Sequence, residues 1–219
     1  MRIRRVGTHA LLLDLTLPEE ADPAVPPRGE TDVASIVEAW RAELWRRRDL
    51  GELAAVEIVP AATTVLLDGV TDPPATAARL ATWTVTALPT VAAARLVEIP
   101  VTYDGEDLPR VAAHWRTDVP RVVRRLRDVE FQVAFCGFAP GFGYLTGLPA
   151  ELAVPRLPTP RPRVPAGSVA LAGRYAGIYP TASPGGWLLI GRTELTLFDV
   201  TADPPALLSP GTRVRLVDQ

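Results

Sequence analysis

Lysine and asparagine are both absent from the 219 residues, so all 23 basic side chains are arginine. Without an ammonium side chain there is no Schiff-base lysine, no lysine general base and no phosphate loop of the GxxxxGK[ST] type. Any anion must be held by arginine or by backbone. The bias against lysine, with abundant alanine and 23 prolines, reads as codon composition. Cys136 is the only cysteine, and His9 and His114 are the only histidines. Neither a disulfide framework nor a Cys/His zinc site can be assembled within one chain, so no metal site is expected. The net charge of -2 gives no basic footprint for nucleic acid. The first fifteen residues hold only the short apolar run Ala10 to Leu13, too brief for a secretory apolar region or a membrane span. These features predict a reduced, cytoplasmic setting with no membrane contact.

What remains is an ordinary globular composition, 47% hydrophobic and 22% charged, in a length that allows one large or two small domains. Arg2 to Val6 and Ala10 to Leu15 flank Gly7-Thr8 as a hairpin, and the acidic, proline-rich Pro18 to Arg28 reads as a surface loop. A helix starts at Thr31 or Asp32, with Val33, Ile36, Val37, Trp40 and Leu44 forming one apolar stripe. Strands at 54–59 and 63–67, a helix at 75–86 and a strand at 95–101 follow. The order strand, strand, helix, strand, strand, helix predicts an α+β domain over residues 1–90, ferredoxin-like in character.

Two short apolar stripes around Leu108 to Trp115 and Val119 to Leu126 predict helices broken at Thr117-Asp118. From Gly137 to Gly191 there are 10 glycines and 9 prolines in 55 residues, together with six of the chain's 14 aromatics. That mixture predicts ordered loops on an all-β scaffold, with strands at 131–135, 168–171, 187–190, 195–198 and 213–217. A barrel-like second domain over 91–219 is expected.

Concentrated glycine exposes backbone N–H groups and proline fixes the loops, which suits either a preorganised small-ligand pocket or simply tight turns. The prolines around Arg156, Arg161 and Arg163 force an extended backbone, so Arg161 and Arg163, two apart, could fork toward one carboxylate or phosphate. Ser168 and Ser183 are glycine-flanked hydroxyls that match no nucleophile elbow. Asp104, Glu106 and Asp107 stand before a helix as caps or as acid–base groups, and Glu194 and Asp199 flank a predicted strand. Cys136, His9 and His114 read as structural. Spacing alone names no catalytic group.

One ordered set of motifs goes further. It begins with Gly137-Phe138-Ala139-Pro140-Gly141-Phe142-Gly143-Tyr144-Leu145 and Pro155-Arg156, then Pro160-Arg161-Pro162-Arg163-Val164-Pro165-Ala166-Gly167-Ser168-Val169. It continues with Gly177-Ile178-Tyr179-Pro180, Ser183-Pro184-Gly185-Gly186-Trp187 and Ile190-Gly191-Arg192-Thr193. This set resembles the family of 5-oxoprolinase B subunits, also called the allophanate hydrolase subunit 1 or KipI family. The resemblance implies a ferredoxin-like N-terminal domain followed by a cyclophilin-like β-barrel. It implies a protein that works with two others, a homologous C subunit and an A subunit, to open 5-oxoproline to glutamate at the expense of ATP. Related branches carry out biotin-dependent carboxyl transfer to urea or inhibit a histidine kinase.

On this resemblance the substrate pocket is expected around Phe138, Pro140, Gly141, Tyr144, Tyr179 and Trp187. Arg161, Arg163 and Arg192 are expected to supply positive charge. Ser183 and the N–H groups of Gly167-Ser168 and Gly185-Gly186 are expected to meet oxyanions. The chain departs from the family pattern at Gly143, Leu157, Glu194, Tyr175-Ala176 and Arg127, where proline, arginine, proline, Gln-Thr and histidine are usual. The Gln-Thr and histidine changes alter a pocket's hydrogen-bonding inventory most.

Overall fold

The computed structural model describes residues 1–16, 30–85 and 95–219. The expected loop at 18–28, the end of the expected second helix at Thr86 and the expected boundary at residue 90 lie outside these. Two compact units are present, Met1–Ala92 and Ala93–Gln219. In the first, the strands β1 (Arg2–Val6) and β2 (Ala10–Asp14) precede helix α1 (Glu30–Asp49). β3 (Glu57–Pro60), β4 (Thr64–Asp68) and helix α2 (Pro73–Leu80) follow. The four strands form an antiparallel sheet in the order β1-β2-β4-β3. The expected stripe buries Val37, Trp40 and Leu44 against Leu11, Leu13, Val65 and Leu67 of the sheet. Asp72 starts α2 by accepting a bond from the Ala75 N–H, and Pro73 and Pro74 occupy positions where no N–H is needed.

In the second unit, β5 (Leu96–Val101) is followed by α3 (Leu108–His114), α4 (Val119–Asp128), β6 (Glu130–Cys136) and β7 (Gly143–Thr146). After a short 3-10 turn come β8 (Arg161–Val164), β9 (Ser168–Ala172), β10 (Tyr175–Ile178), β11 (Ser183–Gly185), β12 (Leu188–Arg192) and β13 (Arg213–Asp218). Among the described residues seven of these strands form one sheet in the order β12-β9-β10-β7-β6-β13-β5. Its two ends meet at a bridge in which Thr102 and Arg192 exchange backbone bonds of 2.9 and 3.0 Å. The sheet is therefore a nearly closed barrel, and β8 and β11 form a separate two-stranded ribbon. The expected strand at 195–198 is not present. Only Phe198 makes a bridge, to Ala206, flanked by bonds from Leu207 N–H to Leu197 O at 2.9 Å and from Asp199 N–H to Pro205 O at 2.8 Å, so the pairing is a single isolated bridge rather than a strand.

Side chains alternate across the barrel wall, and the alternation sorts the core into two layers. Val169 and Leu171 of β9, Ala176 and Ile178 of β10, and Leu188 and Ile190 of β12 point into the barrel, with Phe131 and Leu145. On the other face of the same strands lie Ala170, Ala172 and Leu189, packed with Phe142, Tyr179, Trp187 and Val164. β9 is consequently buried at every position. The outer layer uses small residues because rings lie directly on the strand: a Cβ at Gly177 would stand 2.8 Å from Phe142 and 2.9 Å from Trp187 ring carbons.

Replacing Gly177 with Ala should therefore cost about 1–3 kcal/mol by overpacking. Gly137→Ala, whose added carbon would meet only Tyr144 at 3.9 Å, should cost much less in the same denaturant titration.

Candidate functional site

The outer layer continues into a cluster of seven rings. Phe142 stands edge-on to Tyr144, Tyr179 and Trp187 at centroid distances of 5.0, 5.5 and 5.5 Å. Tyr144 stacks on Phe135 at 4.3 Å, and Tyr175 closes the group edge-on to both at 5.8 Å. Edge-to-face pairs of this kind add to the energy of burial and fix each ring's orientation. Phe138 differs from the rest. It stands edge-on to Phe142 and Tyr179, yet it is 59% exposed and holds φ at 71°. For a bulky side chain that backbone region is costly, on the order of 1–3 kcal/mol, and such strain concentrates at functional positions.

Tyr179 is enclosed. Its hydroxyl accepts from the Trp187 backbone, and the β11 chain passes so close that a Cβ at Gly185 would collide with that hydroxyl. Burial raises the Tyr179 pKa, and the nearby guanidinium groups of Arg156 and Arg161 partly offset the rise. Arg156 lies over Trp187, 5.8 Å from the ring centroid.

Beside the cluster the segment Tyr103 to Leu108 crosses β12. A Cβ at Gly105 would strike the backbone of Leu189 and Ile190, so only glycine allows this crossing. Asp107 precedes α3 but makes no side-chain cap bond. Its N–H donates to the Leu189 carbonyl at 3.0 Å, and its carboxylate accepts from the Leu189 N–H at 2.7 Å and from Arg161 Nη2 at 2.7 Å. Arg161 also pairs with Glu106 at 2.6 Å and donates to the Trp187 carbonyl at 3.3 Å. The Glu106 pair is worth little, because that side chain is 64% exposed. The Asp107 pair matters more, because its carboxylate side chain is 6% exposed and would be left uncompensated without Arg161.

The other predicted positions divide cleanly. Tyr144, Tyr179 and Trp187 are brought together, with Phe138 at their edge. Gly141 turns with φ at 84° against Phe198 and seats Pro140 in the same loop. Arg161 and Arg163 do not share a face in simple alternation, because the pairing of β8 with β11 slips between Ser183 and Gly185. Arg161 is engaged, whereas Arg163 is exposed. Gly167 N–H donates to Tyr179 O at 2.7 Å and Ser168 N–H to Pro165 O at 3.3 Å, so both amides are used inside the fold. Ser168 is buried in β9, Ser183 Oγ is buried without a partner among the described residues, and Gly186 O accepts from Leu157 N–H at 2.7 Å. Arg192 pairs with Asp104 at 2.8 Å in the open, at the barrel's closing bridge.

The surroundings of Tyr103 had no sequence signal. Tyr103 Oη is buried without a partner among the described residues, and burial, then Asp218, push its pKa up to about 12. Arg127, the position where the family usually has histidine, pairs with Asp218 at 2.5 Å beside it. Burial likewise raises the Cys136 pKa, which makes the thiol a poor nucleophile. His114 meets the Ala153 carbonyl at 2.9 Å on the surface.

Trp187→Ala should destabilise the second unit by about 3–5 kcal/mol, as expected for a buried ring. Phe138→Gly should leave the melting temperature unchanged or raise it, because relief of the strained φ offsets the loss of a mostly exposed ring. A large loss from Phe138→Gly would show that ring to be structural.

A carboxyltransferase domain, subdomain C and D, matches residues 1–208 of the chain. The 5-oxoprolinase B subunit of Escherichia coli O157:H7 is 52% identical over 128 residues, 57% of this chain and 59% of that protein. The 5-oxoprolinase B subunit of Bacillus subtilis (strain 168) is 46% identical over 126 residues, 56% of this chain and 52% of that protein. The matched stretches thus span little more than half of each relative. In the crystal structure of TTHA0988 the likeness has a TM-score of 0.74 at 34% identity, covering 97% of this chain and 40% of that one. The ring cluster and the Asp107 clasp thus sit in a chain that belongs to the carboxyltransferase-domain family, subdomain C and D, whose relatives include 5-oxoprolinase B subunits.

Proposed function

We propose that this chain is the B subunit of an ATP-dependent 5-oxoprolinase that opens 5-oxoproline to glutamate together with the A and C subunits in the cytoplasm. The identity to 5-oxoprolinase B subunits carries this reading. On the same reading residues 1–90 are a ferredoxin-like domain whose outer strand β1 comes from the N-terminal hairpin, and residues 91–219 are a cyclophilin-like barrel.

The chemistry fits a protein that binds and orients. A lactam is a poor electrophile, and phosphorylating its carbonyl oxygen turns that oxygen into a leaving group, a step governed by charge stabilisation more than by covalent catalysis. This chain has no lysine with which to grip phosphates. It offers instead an aromatic wall and arginines, the equipment for a small flat anion. We take the substrate site to lie at Phe138, where the enclosed Tyr179–Trp187 pair reaches its open edge, with ATP as co-substrate of the assembled complex.

The carboxyltransferase-domain match favours a second reading, a component of a biotin-dependent urea or allophanate carboxyltransferase. The two are separated by reconstituting the chain with 5-oxoprolinase A and C subunits and following glutamate formation from 5-oxoproline with ATP, omitting each protein in turn. Turnover that requires this chain is expected. A folded complex that leaves 5-oxoproline intact but accepts carboxyl groups from biotin would establish the second reading.

A further inference from the structure

Three arginines stand in the run Pro155 to Arg163, and the sequence does not choose among them. The structure does. Arg161 is committed to Asp107, Glu106 and the Trp187 carbonyl. Its charge is already neutralised by two carboxylates, so drawing it toward a ligand would strand the buried Asp107. Arg163 is exposed on β8 and touches none of the rings among the described contacts. Arg156 alone of the three lies over the cluster, near both Trp187 and Tyr179, with no carboxylate within ion-pair distance among the described residues.

Its backbone is fixed on both sides. Val154 is buried and exchanges bonds of 3.0 and 2.7 Å with Gly173, while Leu157 N–H donates to Gly186 O at 2.7 Å. Pro155 and Pro158 further restrict the segment. With the backbone anchored, only the rotamers of the Arg156 side chain remain to be ordered when it meets a ligand, which lowers the cost of recognition. Edge-on to Tyr179 stands Phe138, the one exposed ring of the cluster, held at a strained φ.

We propose that Arg156, rather than Arg161 or Arg163, grips the carboxylate of a small planar ligand that lies against Phe138, at the open edge of the enclosed Tyr179–Trp187 pair, with Arg161 acting as a positioning residue. One free guanidinium fits one carboxylate through two parallel bonds. A phosphoryl group would call for several cations, and the neighbouring Arg161 is already spent. The inference rests on the small-anion reading of this site proposed above.

The test is a titration of the nitrogen-labelled full chain with L-5-oxoproline, its neutral carboxamide and inorganic phosphate, following the Trp187 indole signal assigned with Trp187→Phe. Arg156→Met is expected to weaken L-5-oxoproline binding about tenfold or more while binding of the carboxamide is unchanged. Arg156→Lys should recover part of the loss, and Arg110→Met, at an exposed position of α3, should bind as the wild type does. Melting curves confirm that each variant is folded.

The inference is overturned if Arg156→Met binds L-5-oxoproline as the wild type does, or if Arg163→Met takes the loss instead. It is equally overturned if the carboxamide or phosphate binds the wild type as tightly as the acid, or if the wild-type indole does not respond to the acid. Failure of the 5-oxoprolinase reading looks different: the assembled complex shows no turnover while the chain still separates acid from amide through Arg156.

Discussion

Asp107 is the group on which the second unit is organised. It exchanges two bonds with Leu189 and binds Arg161, so one residue ties the start of α3, the second residue of β12 and the first residue of β8 together. Burying a carboxylate costs several kcal/mol unless it is paired and hydrogen-bonded, and here every one of those demands is met by a specific neighbour. The clasp also decides what is available for chemistry. It uses up Arg161 and holds the β8–β11 ribbon over the rings.

The ring cluster follows from the alternation of the barrel wall. β9, β10 and β12 bury one row of side chains inside the barrel and offer a second row outside. Alanine and glycine in that outer row let Phe142, Tyr179 and Trp187 lie against the strands, and the β8–β11 ribbon covers them with Val164 and Gly185. A layer made this way is rigid at its centre and ends in one exposed, strained ring, Phe138. Rigid walls with a single open edge are what a small ligand needs if its binding energy is not to be spent on ordering the protein.

The parts of this arrangement that are local were legible in the sequence. The stripe from Val33 to Leu44 gave α1, and β-branched runs gave β6, β9 and β13 to within a residue or two. The ribbon strands β8 and β11 were hidden because proline and glycine mask a period of two. The apolar residues at 195–198 imitate a strand but find only one bridge. Strict alternation put Arg161 and Arg163 together, and a register slip interrupts it. Asp107 looked like a helix cap because its partners, Arg161 and Leu189, are 54 and 82 residues away, a distance over which spacing carries no information. The motif glycines, by contrast, marked close approaches that the structure places at the strands and at Tyr179.

The division of labour among the arginines is the consequence that matters for function. Arg161 supports the fold, Arg192 closes the barrel in the open beside Asp104, and Arg156 lies over the rings with no ion-pair partner among the described residues. The central claim is that the Asp107–Arg161 clasp is a strongly coupled buried pair. A double-mutant cycle on unfolding free energy with Asp107→Ala, Arg161→Met and both together measures it directly. The account predicts a coupling of about 2 kcal/mol or more, since Arg161→Met alone strands the buried Asp107 carboxylate and the double change does not. Additive effects, with a coupling near zero, would contradict it and return Arg161 to the pool of free cations.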